Sequence, residues 1–172
     1  MLVIQTEIDH RAMTALARAN RRTLRRGQSG PVRALAWFVV ALELFLTVTY
    51  IRGGARDWPV NALLGLFMLG CLLLEDRIGG AAALHRIPPD SRTVNATFQR
   101  DSSSYVHRTR AGESWHLYSQ LRAAVETEDY FILLQDRRHG QVYDKKGFSW
   151  GTPEEFRELI HRKTGLKMEK IR

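Results

Sequence analysis

Two long apolar runs joined by a short polar link constrain the fold of this chain more than any other feature. The first run covers residues 34–51 and contains one charged residue, Glu43, whereas the second covers residues 58–74 and contains none. An α-helix that crosses the hydrocarbon core of a bilayer needs about 20 apolar residues, and each run is close to this length. The pattern predicts a membrane protein with a two-helix transmembrane hairpin within residues 31–77.

The distribution of basic residues around the two runs predicts how the hairpin is oriented. Six arginines lie before the first run, between positions 18 and 33, whereas the link contains only Arg52 and Arg56. Three more arginines follow the second run, at positions 77, 86 and 92. Because positively charged flanks stay on the cytoplasmic side, both termini and the bulk of the protein are expected in the cytoplasm.

Glu43 falls in the middle of the first run, where a carboxyl group is costly and often functional. If the hairpin is symmetric about its link, Glu43 lies at the depth of Gly65 and Leu66, where the second run has no basic residue and no histidine. Two roles remain open. The carboxyl group is either protonated and bonded to a backbone carbonyl or to another copy of the chain, giving a homo-oligomer through the hairpin, or it is a proton relay or ion site.

The first 30 residues predict a cytoplasmic strand followed by a basic amphipathic helix. Polar and apolar residues alternate over residues 2–8, Asp9 is a suitable N-cap, and residues 27–31 are expected to end the helix. The arginines expected to contact anionic lipid headgroups, at roughly 1 kcal/mol each, are Arg18, Arg21, Arg22, Arg25 and Arg26. A topology signal without lipid contact explains them equally well. Nucleic acid is not expected as a partner of a chain tethered to a bilayer.

Residues 90–165 predict a small cytoplasmic α+β domain, an antiparallel sheet closed by a C-terminal helix. Short alternations of apolar and polar residues, separated by turn residues, predict a series of strands before the helix. The segment 130–134 is apolar on both faces and is expected to be a central strand under the helix. Thr152, with a proline and Glu155 after it, predicts the helix start, and Gly165 predicts its end. Residues 166–172 remain as a basic tail.

A cluster of charge at residues 136–140 separates two apolar strands and predicts a solvated hairpin turn. Gly140 is expected to supply a backbone angle that other residues avoid. The basic residues near this turn form an edge that is expected to contact an anionic surface if it faces the bilayer, and they are Arg137, Arg138, Lys145 and Lys146.

Four segments carry a resemblance to a known family, namely Ser114-Trp115, Val125–Leu134, Lys145–Phe148 and Glu154–Ile160. Together with the order of strand, helix, two-span hairpin and sheet ending in a helix, they resemble the YcxB-like bacterial membrane proteins. The resemblance implies a location in the bacterial cell membrane and a C-terminal module similar to a small pleckstrin-homology (PH-like) fold. Asp144 departs from the family, which usually has proline there, and residues 101–103 replace its acidic-glycine turn. The family implies no general biochemical function.

No active site, metal site or cofactor motif is evident, so we expect neither an enzyme nor a bound cofactor. The six histidines lack the spacing of a helical metal site, although His107 and His116 would face each other if their strands pair. The serines at 102–104 lack a nucleophile elbow, and the sequence has no glycine-rich phosphate loop. The one cysteine, Cys71, is interpreted as a small hydrophobe.

Two functional hypotheses therefore remain. In the first, the chain is a membrane-anchored, non-enzymatic interaction module that binds an unidentified protein partner or an anionic lipid surface. In the second, it is a membrane-effector protein, such as a toxin-immunity or channel-modulating subunit, that acts through the hairpin and Glu43. The net charge of +8 favours an anionic partner.

Overall fold

A computed structural model describes residues 1–171, without the side chains of Arg26, Gln28 and Ser29. The helices are α1 (His10–Arg22), α2 (Arg26–Arg52), α3 (Trp58–His85) and α4 (Pro153–Thr164). The strands are β1 (Leu2–Glu7), β2 (Thr93–Phe98), β3 (Ser104–Thr109), β4 (Gly112–Leu117), β5 (Ala123–Glu126), β6 (Tyr130–Leu134), β7 (Gly140–Asp144), β8 (Phe148–Trp150) and β9 (Met168–Lys170).

The hairpin of α2 and α3 exposes its apolar surface. Both helices are long and apolar enough to cross a membrane, and only 11% and 6% of the residues in their most apolar windows are buried within the chain. A core helix of a soluble protein would bury such a surface, because exposed apolar area is unfavourable in water. The two helices are therefore candidate membrane spans, as the sequence indicates.

The first candidate span helix, α2, begins earlier than predicted, because residues 27–31 are helical. The chain instead breaks between α1 and α2 at residues 23–25. Pro31 lies in the second turn of α2, where it removes only the backbone hydrogen bond to residue 27. A Cβ atom at Gly27 or Gly30 would meet nothing within 4 Å, so these glycines mark no tight turn.

The helix α3 extends well beyond the second apolar run and continues without a break through Gly79 and Gly80. A Cβ atom at Gly80 would lie 2.7 Å from the backbone nitrogen of Thr14, so α1 crosses α3 in close contact at this point. Ala17 lies against the neighbouring Gly79, 3.8 Å from a Cβ placed there. These two glycines therefore serve helix packing, and α1 runs antiparallel to this end of α3.

The strands form two open sheets, whereas the sequence predicted one sheet closed by a helix. The first sheet has five strands in the order β4-β3-β2-β1-β8, and all four of its pairings are antiparallel. The second has four strands in the order β7-β6-β5-β9, and β9 pairs with β5 in parallel. Closure of the PH-like kind is not seen in the described chain. We call the two sheets and α4 the sheet domain.

The ends of the chain belong to this domain. β1 lies between β2 and β8 inside the five-stranded sheet, although residues 1–30 were predicted as a separate segment. β9 forms one edge of the four-stranded sheet, although residues 166–172 were predicted as a tail. Neither element carries a local sign of its partner, because strand pairing joins residues that are far apart in sequence.

The four-stranded sheet is buried on both faces, which confirms the prediction for residues 130–134. Phe131 and Leu133 face the core between the sheets, where Phe156 of α4 packs. Ile132 and Leu134 face the opposite side, which α1 covers with small apolar side chains. The sequence did not indicate that α1 covers this second face, since α1 lies more than a hundred residues before β6.

The ends of α4 follow the predicted signals. The hydroxyl of Thr152 accepts a hydrogen bond from the backbone of Glu155, and the Glu155 side chain accepts one from the backbone of Thr152. Gly165 ends the helix with a left-handed φ of 72°. Phe156 then places its ring centroid 5.0 Å from that of Phe98 and 4.9 Å from that of Phe131, so α4 fills the space between the sheets.

Gly140 lies in a crowded place between β6 and α1, and the prediction that it has an unusual backbone angle is wrong. It is absent from the glycines with positive φ. A Cβ atom there would lie 2.7 Å from Leu134 Cδ2 and 2.8 Å from Leu16 Cδ1. A side chain at position 140 would therefore have to displace the ends of Leu134 and Leu16, which pack against the start of β7.

Candidate functional site

Asp76 of α3 binds arginines of α1. Arg21 donates two hydrogen bonds to this carboxylate, at 2.8 Å to Oδ1 and 2.6 Å to Oδ2. Arg18 lies 3.6 Å from the same group and is 44% exposed, whereas Arg21 is 17% exposed. Glu75 lies 3.9 Å from Arg21 and 3.7 Å from Arg33. This ion cluster directly follows the second apolar run, and we call the end of the sheet domain beside it the basal end.

The other arginines predicted to meet the membrane surface lie around the junction of α1 and α2. Arg22 and Arg25 are exposed, and the side chain of Arg26 lies outside the described part of the chain. The apolar face of α1 is occupied by protein, because Ala12 and Ala19 are buried against the four-stranded sheet. Contact of these arginines with lipid headgroups stays a prediction, but α1 does not turn its apolar face to lipid.

The charged turn between β6 and β7 lies at the basal end. Asn20, near the end of α1, donates a hydrogen bond of 2.7 Å to the backbone carbonyl of Arg137. Asp136 accepts hydrogen bonds from the backbone N–H groups of Arg138 and His139, at 2.6 and 2.8 Å. Its other oxygen lies 2.8 Å from His139 Nδ1, and these bonds, with that of the His139 side chain first, lower the pKa of Asp136 to about 2. The turn is thus held in one conformation next to the end of α1.

The two lysines of the predicted edge lie at the opposite end of β7, which we call the distal end. Lys145 donates hydrogen bonds of 2.7 Å to Glu126 and 2.5 Å to the carbonyl of Thr127, and it is 18% exposed. Lys146 is exposed. A five-residue strand is about 17 Å long, so these lysines do not share one surface with Arg137. The predicted edge is therefore split, and only its arginine half lies at the basal end.

Glu126 is the most enclosed ionised group of the sheet domain, with its side chain 6% exposed. Arg157 of α4 donates hydrogen bonds to both of its oxygens, at 3.0 and 2.8 Å. These bonds, followed by that of Lys145, lower the pKa of Glu126 to about 2. Lys145 and Arg157 also lie over the ring of Phe131, at 5.1 and 5.5 Å from its centroid. The group joins α4 to the four-stranded sheet and has a structural role.

An open cleft of about 1140 Å³ lies beside Glu126, between the start of α1 and the β5–β6 turn. Three carboxylates line it, Glu126, Glu128 and Asp129. The basic side chains on its walls outnumber these carboxylates, and they are Arg11, Arg18, Arg77, Lys145 and Lys170. Sequence reasoning missed this cleft, because its walls come from five separated segments. Two of its five basic groups are paired with carboxylates, so its charge is mixed.

His107 and His116 do face each other, with ring centroids 4.7 Å apart. Nε2 of His107 lies 2.6 Å from the hydroxyl of Tyr143, and Nδ1 of His116 lies 3.2 Å from the amide of Gln135. Burial, followed by the nearby His116, lowers the pKa of His107 to about 3. Tyr143 is buried as well, and desolvation raises its pKa. Within residues 1–171 no group of three or more His, Cys, Asp or Glu side chains is placed to hold a metal ion.

Glu43 packs against α3 at the depth that the sequence predicts. A Cβ atom at Gly65 would lie 3.2 Å from Cβ of Glu43. Oε2 of Glu43 is buried and has no hydrogen-bond partner among the described residues. One turn later, Thr47 donates a hydrogen bond of 2.7 Å to the carbonyl of Glu43. The carboxyl group therefore lies in the seam of the hairpin rather than on its lipid-facing side.

No family model, curated protein or solved structure matches this chain.

Proposed function

We propose that this chain is a membrane-anchored, non-enzymatic interaction module of the YcxB-like type, whose basal end binds anionic lipid headgroups on the cytoplasmic side. Two features support the anchoring. The α2–α3 hairpin exposes apolar helices of spanning length, and the arginines flanking these helices favour cytoplasmic termini. The ion cluster of Arg21 and Asp76 then joins α1, which packs on the four-stranded sheet, to the hairpin.

The hydrogen bond from Asn20 to the carbonyl of Arg137 is the observation that carries the proposal. This bond attaches the basic turn to Asn20, the residue next to Arg21 in α1. Arg21 in turn binds Asp76, which lies two positions after the end of the second apolar run. If the run spans the hydrocarbon core, Arg137 and Arg138 lie at the level of the headgroups. Each basic residue near an anionic surface contributes about 1 kcal/mol.

The enrichment of anionic lipid around the full-length protein tests whether the positive charge of the basal turn binds headgroups. The protein is reconstituted in nanodiscs of phosphatidylcholine with a minority of phosphatidylglycerol, and the lipids that copurify after mild detergent extraction are quantified by mass spectrometry. We expect R137Q/R138Q to retain less phosphatidylglycerol than the unmodified protein. The control R110Q/K146Q removes the same charge from exposed positions at the distal end and should leave the enrichment unchanged. Equal enrichment in all three proteins contradicts the proposal.

A fluorescent label tests the depth of the turn separately from its charge. In a C71S background, a cysteine replaces His139 in the basal turn or Ala111 in the distal β3–β4 turn, and each is labelled with the same dye. Quenchers attached to lipid headgroups should quench the dye at position 139 much more than at position 111. Equal quenching would show that the basal turn does not approach the bilayer.

Glu43 supports a second function, that of a membrane-effector acting through the hairpin. Its buried Oε2 without a partner, in the seam against Gly65, is a group that a proton or a cation could bind. In liposomes the purified protein should then give an ion or proton flux that E43Q abolishes, while E43Q leaves lipid enrichment intact. An unmodified protein that gives no flux contradicts a proton or ion site at Glu43.

A further inference from the structure

A row of uncharged side chains crosses the outer face of the five-stranded sheet from edge to edge. The pairing register places Trp115 beside Val106, Val106 beside Thr97, Thr97 beside Val3, and Val3 beside Trp150. The two tryptophans at its ends, on edge strands β4 and β8, are 69% and 66% exposed. Side chains on the solvated face of an antiparallel sheet are usually polar, so this row departs from the pattern.

Other outward side chains of this face are exposed too, which shows that none of the described elements covers it. They include Gln5, Asn95, Arg108 and Glu113 in the next row of the sheet. Arg108 and Glu113 form an ion pair with each other, so this row carries no net charge. Leu117, the next outward residue of β4 after Trp115, is 43% exposed and extends the apolar surface. These two rows carry no net charge and the face is open and apolar in its centre, while Glu7 places one exposed carboxylate at the end of β1.

The strands of this face run along the direction of α1 and α3. β3 lies alongside β7 in the same direction, because Tyr105 contacts Gln141 and His107 contacts Tyr143. β7 in turn runs antiparallel to α1. The outer face therefore points sideways from the hairpin, away from α1 and α3, and a bilayer crossed by α3 would meet the ends of its strands rather than its flat surface.

We propose that a second copy of this chain covers the face, giving a parallel homodimer with a two-fold axis along the strands. This axis superposes the row on itself in reverse, so that Trp115 packs on the partner's Trp150, Val106 on the partner's Val3, and Thr97 on the partner's Thr97. A closed two-fold interface of this kind requires a self-complementary surface, and the uncharged row provides one. The axis also leaves both hairpins pointing the same way, as one bilayer requires.

Edge-to-edge pairing of the exposed β4 strands would not leave both hairpins pointing the same way. Antiparallel pairing of two identical edges needs a two-fold axis perpendicular to the sheet, which would turn one hairpin upside down. The flat face, five strands by about six residues, measures about 24 by 20 Å, or roughly 480 Å² per copy. Because a standard interface buries about 800 Å² per partner, the contact is weak in solution, and co-anchoring in one membrane supplies the effective concentration.

Thiol crosslinking of the full-length protein in liposomes with a short bismaleimide tests the position of the two-fold axis. In the C71S background, T97C should crosslink to its own copy, because Thr97 lies on the axis; stacked sheets are about 10 Å apart, which a short spacer bridges and a direct disulfide does not. V3C and V106C should each stay largely uncrosslinked alone but crosslink when the two proteins are co-reconstituted. R110C, an exposed distal position away from the face, controls for random collision. A T97C yield no higher than that of R110C overturns the proposal.

Removal of the tryptophans tests the contact itself. W115S/W150S changes only exposed side chains, so the domain should fold, as circular dichroism and an unchanged melting temperature would verify. In this background the T97C crosslink should fall several-fold. An undiminished crosslink, or a crosslink of T97C to a different protein in native membranes, overturns the homodimer. A crosslink confined to cysteines in α2 or α3 would place self-association in the hairpin and overturn it as well.

Discussion

Nε2 of His107 on β3 lies 2.6 Å from the hydroxyl oxygen of Tyr143 on β7, and this hydrogen bond joins the two sheets in the buried interior. The opposite surface of His107 is covered by His116, and Tyr105 lies beside both. A proton added to His107 would leave a buried charge without a carboxylate among these neighbours. The bond therefore links the packing of the sheets to pH.

Acid should destabilise the sheet domain through this histidine. The pKa of His107 is about 3 in the folded chain, because of its burial, against about 6.5 for an unfolded histidine. The unfolded state then binds the extra proton, so the contribution to stability is complete above about pH 6.5 and is lost as the pH falls toward 3. The free energy of unfolding, from urea titration in detergent, should fall by up to about 1.4 kcal/mol per pH unit in this window. H107N should show a shallower slope; an identical slope contradicts the assignment.

The ion group around Glu126 predicts a large and specific loss of stability. E126Q removes the carboxylate that Lys145 and Arg157 share in a partly buried site and leaves Arg157 only the exposed Glu154, which costs about 2 kcal/mol. E128Q, at an exposed position of the adjoining turn, should change the free energy of unfolding by less than about 0.5 kcal/mol. Since the Arg157 bonds hold the pKa of Glu126 near 2, its stabilisation persists above about pH 4.5 and disappears as the pH falls toward 2. A neutral effect of E126Q would show that the group contributes nothing to the junction with α4.

Two adjacent glycines give a matched test of the contact between α1 and α3. G80A places a methyl group 2.7 Å from the backbone of Thr14 and should cost about 1–3 kcal/mol, as overpacking usually does. In G79A the new methyl group meets Ala17 at 3.8 Å, an ordinary contact, and alanine also favours the helix. In detergent, G80A should unfold at a lower temperature than G79A and should be cleaved faster by protease near residues 23–25. Equal behaviour contradicts the close crossing.

Arg21 and Arg18 should differ although both contact Asp76. Arg21 makes two short hydrogen bonds and is mostly covered, whereas Arg18 is half exposed at 3.6 Å. R21Q is expected to lower the free energy of unfolding by roughly 1–3 kcal/mol, since a hydrogen-bonded and partly buried charge loses its partner. R18Q is expected to change it by less than about 1 kcal/mol and to depend on salt. A larger effect of R18Q than of R21Q would contradict the assignment of Arg21 as the main partner of Asp76.

Several elements could be predicted because their signals are local. The two candidate spans follow from long apolar runs, and the ends of α4 follow from Thr152 and Gly165. Residues 130–134 are apolar on both faces, which is enough to predict burial from both sides. Each signal depends on residues within one element, so no knowledge of the fold was required.

Glycine was the residue type that local reasoning misjudged. Gly140 was interpreted as a residue with an unusual backbone angle, but it has none, and Gly80, whose packing role the sequence did not indicate, lies where the backbone of α1 leaves no room for a side chain. The same residue type serves a backbone angle in one place and the lack of a side chain in another. The first use can be predicted locally, as at Gly165, which takes the left-handed conformation at the end of α4, whereas the second depends on the position of a neighbouring chain.

The sequence by itself therefore determined the hairpin, the presence of strands in the second half and the bounds of its last helix. The tertiary structure decided that β1 and β9 complete the sheets, that Glu126 meets Arg157, that the basic turn lies beside the end of α1, and that two distant tryptophans end one row. The physical reason is the range of the interactions. Periodicity and capping act within a few residues, whereas strand order and ion pairing depend on segments that meet only when the core is packed.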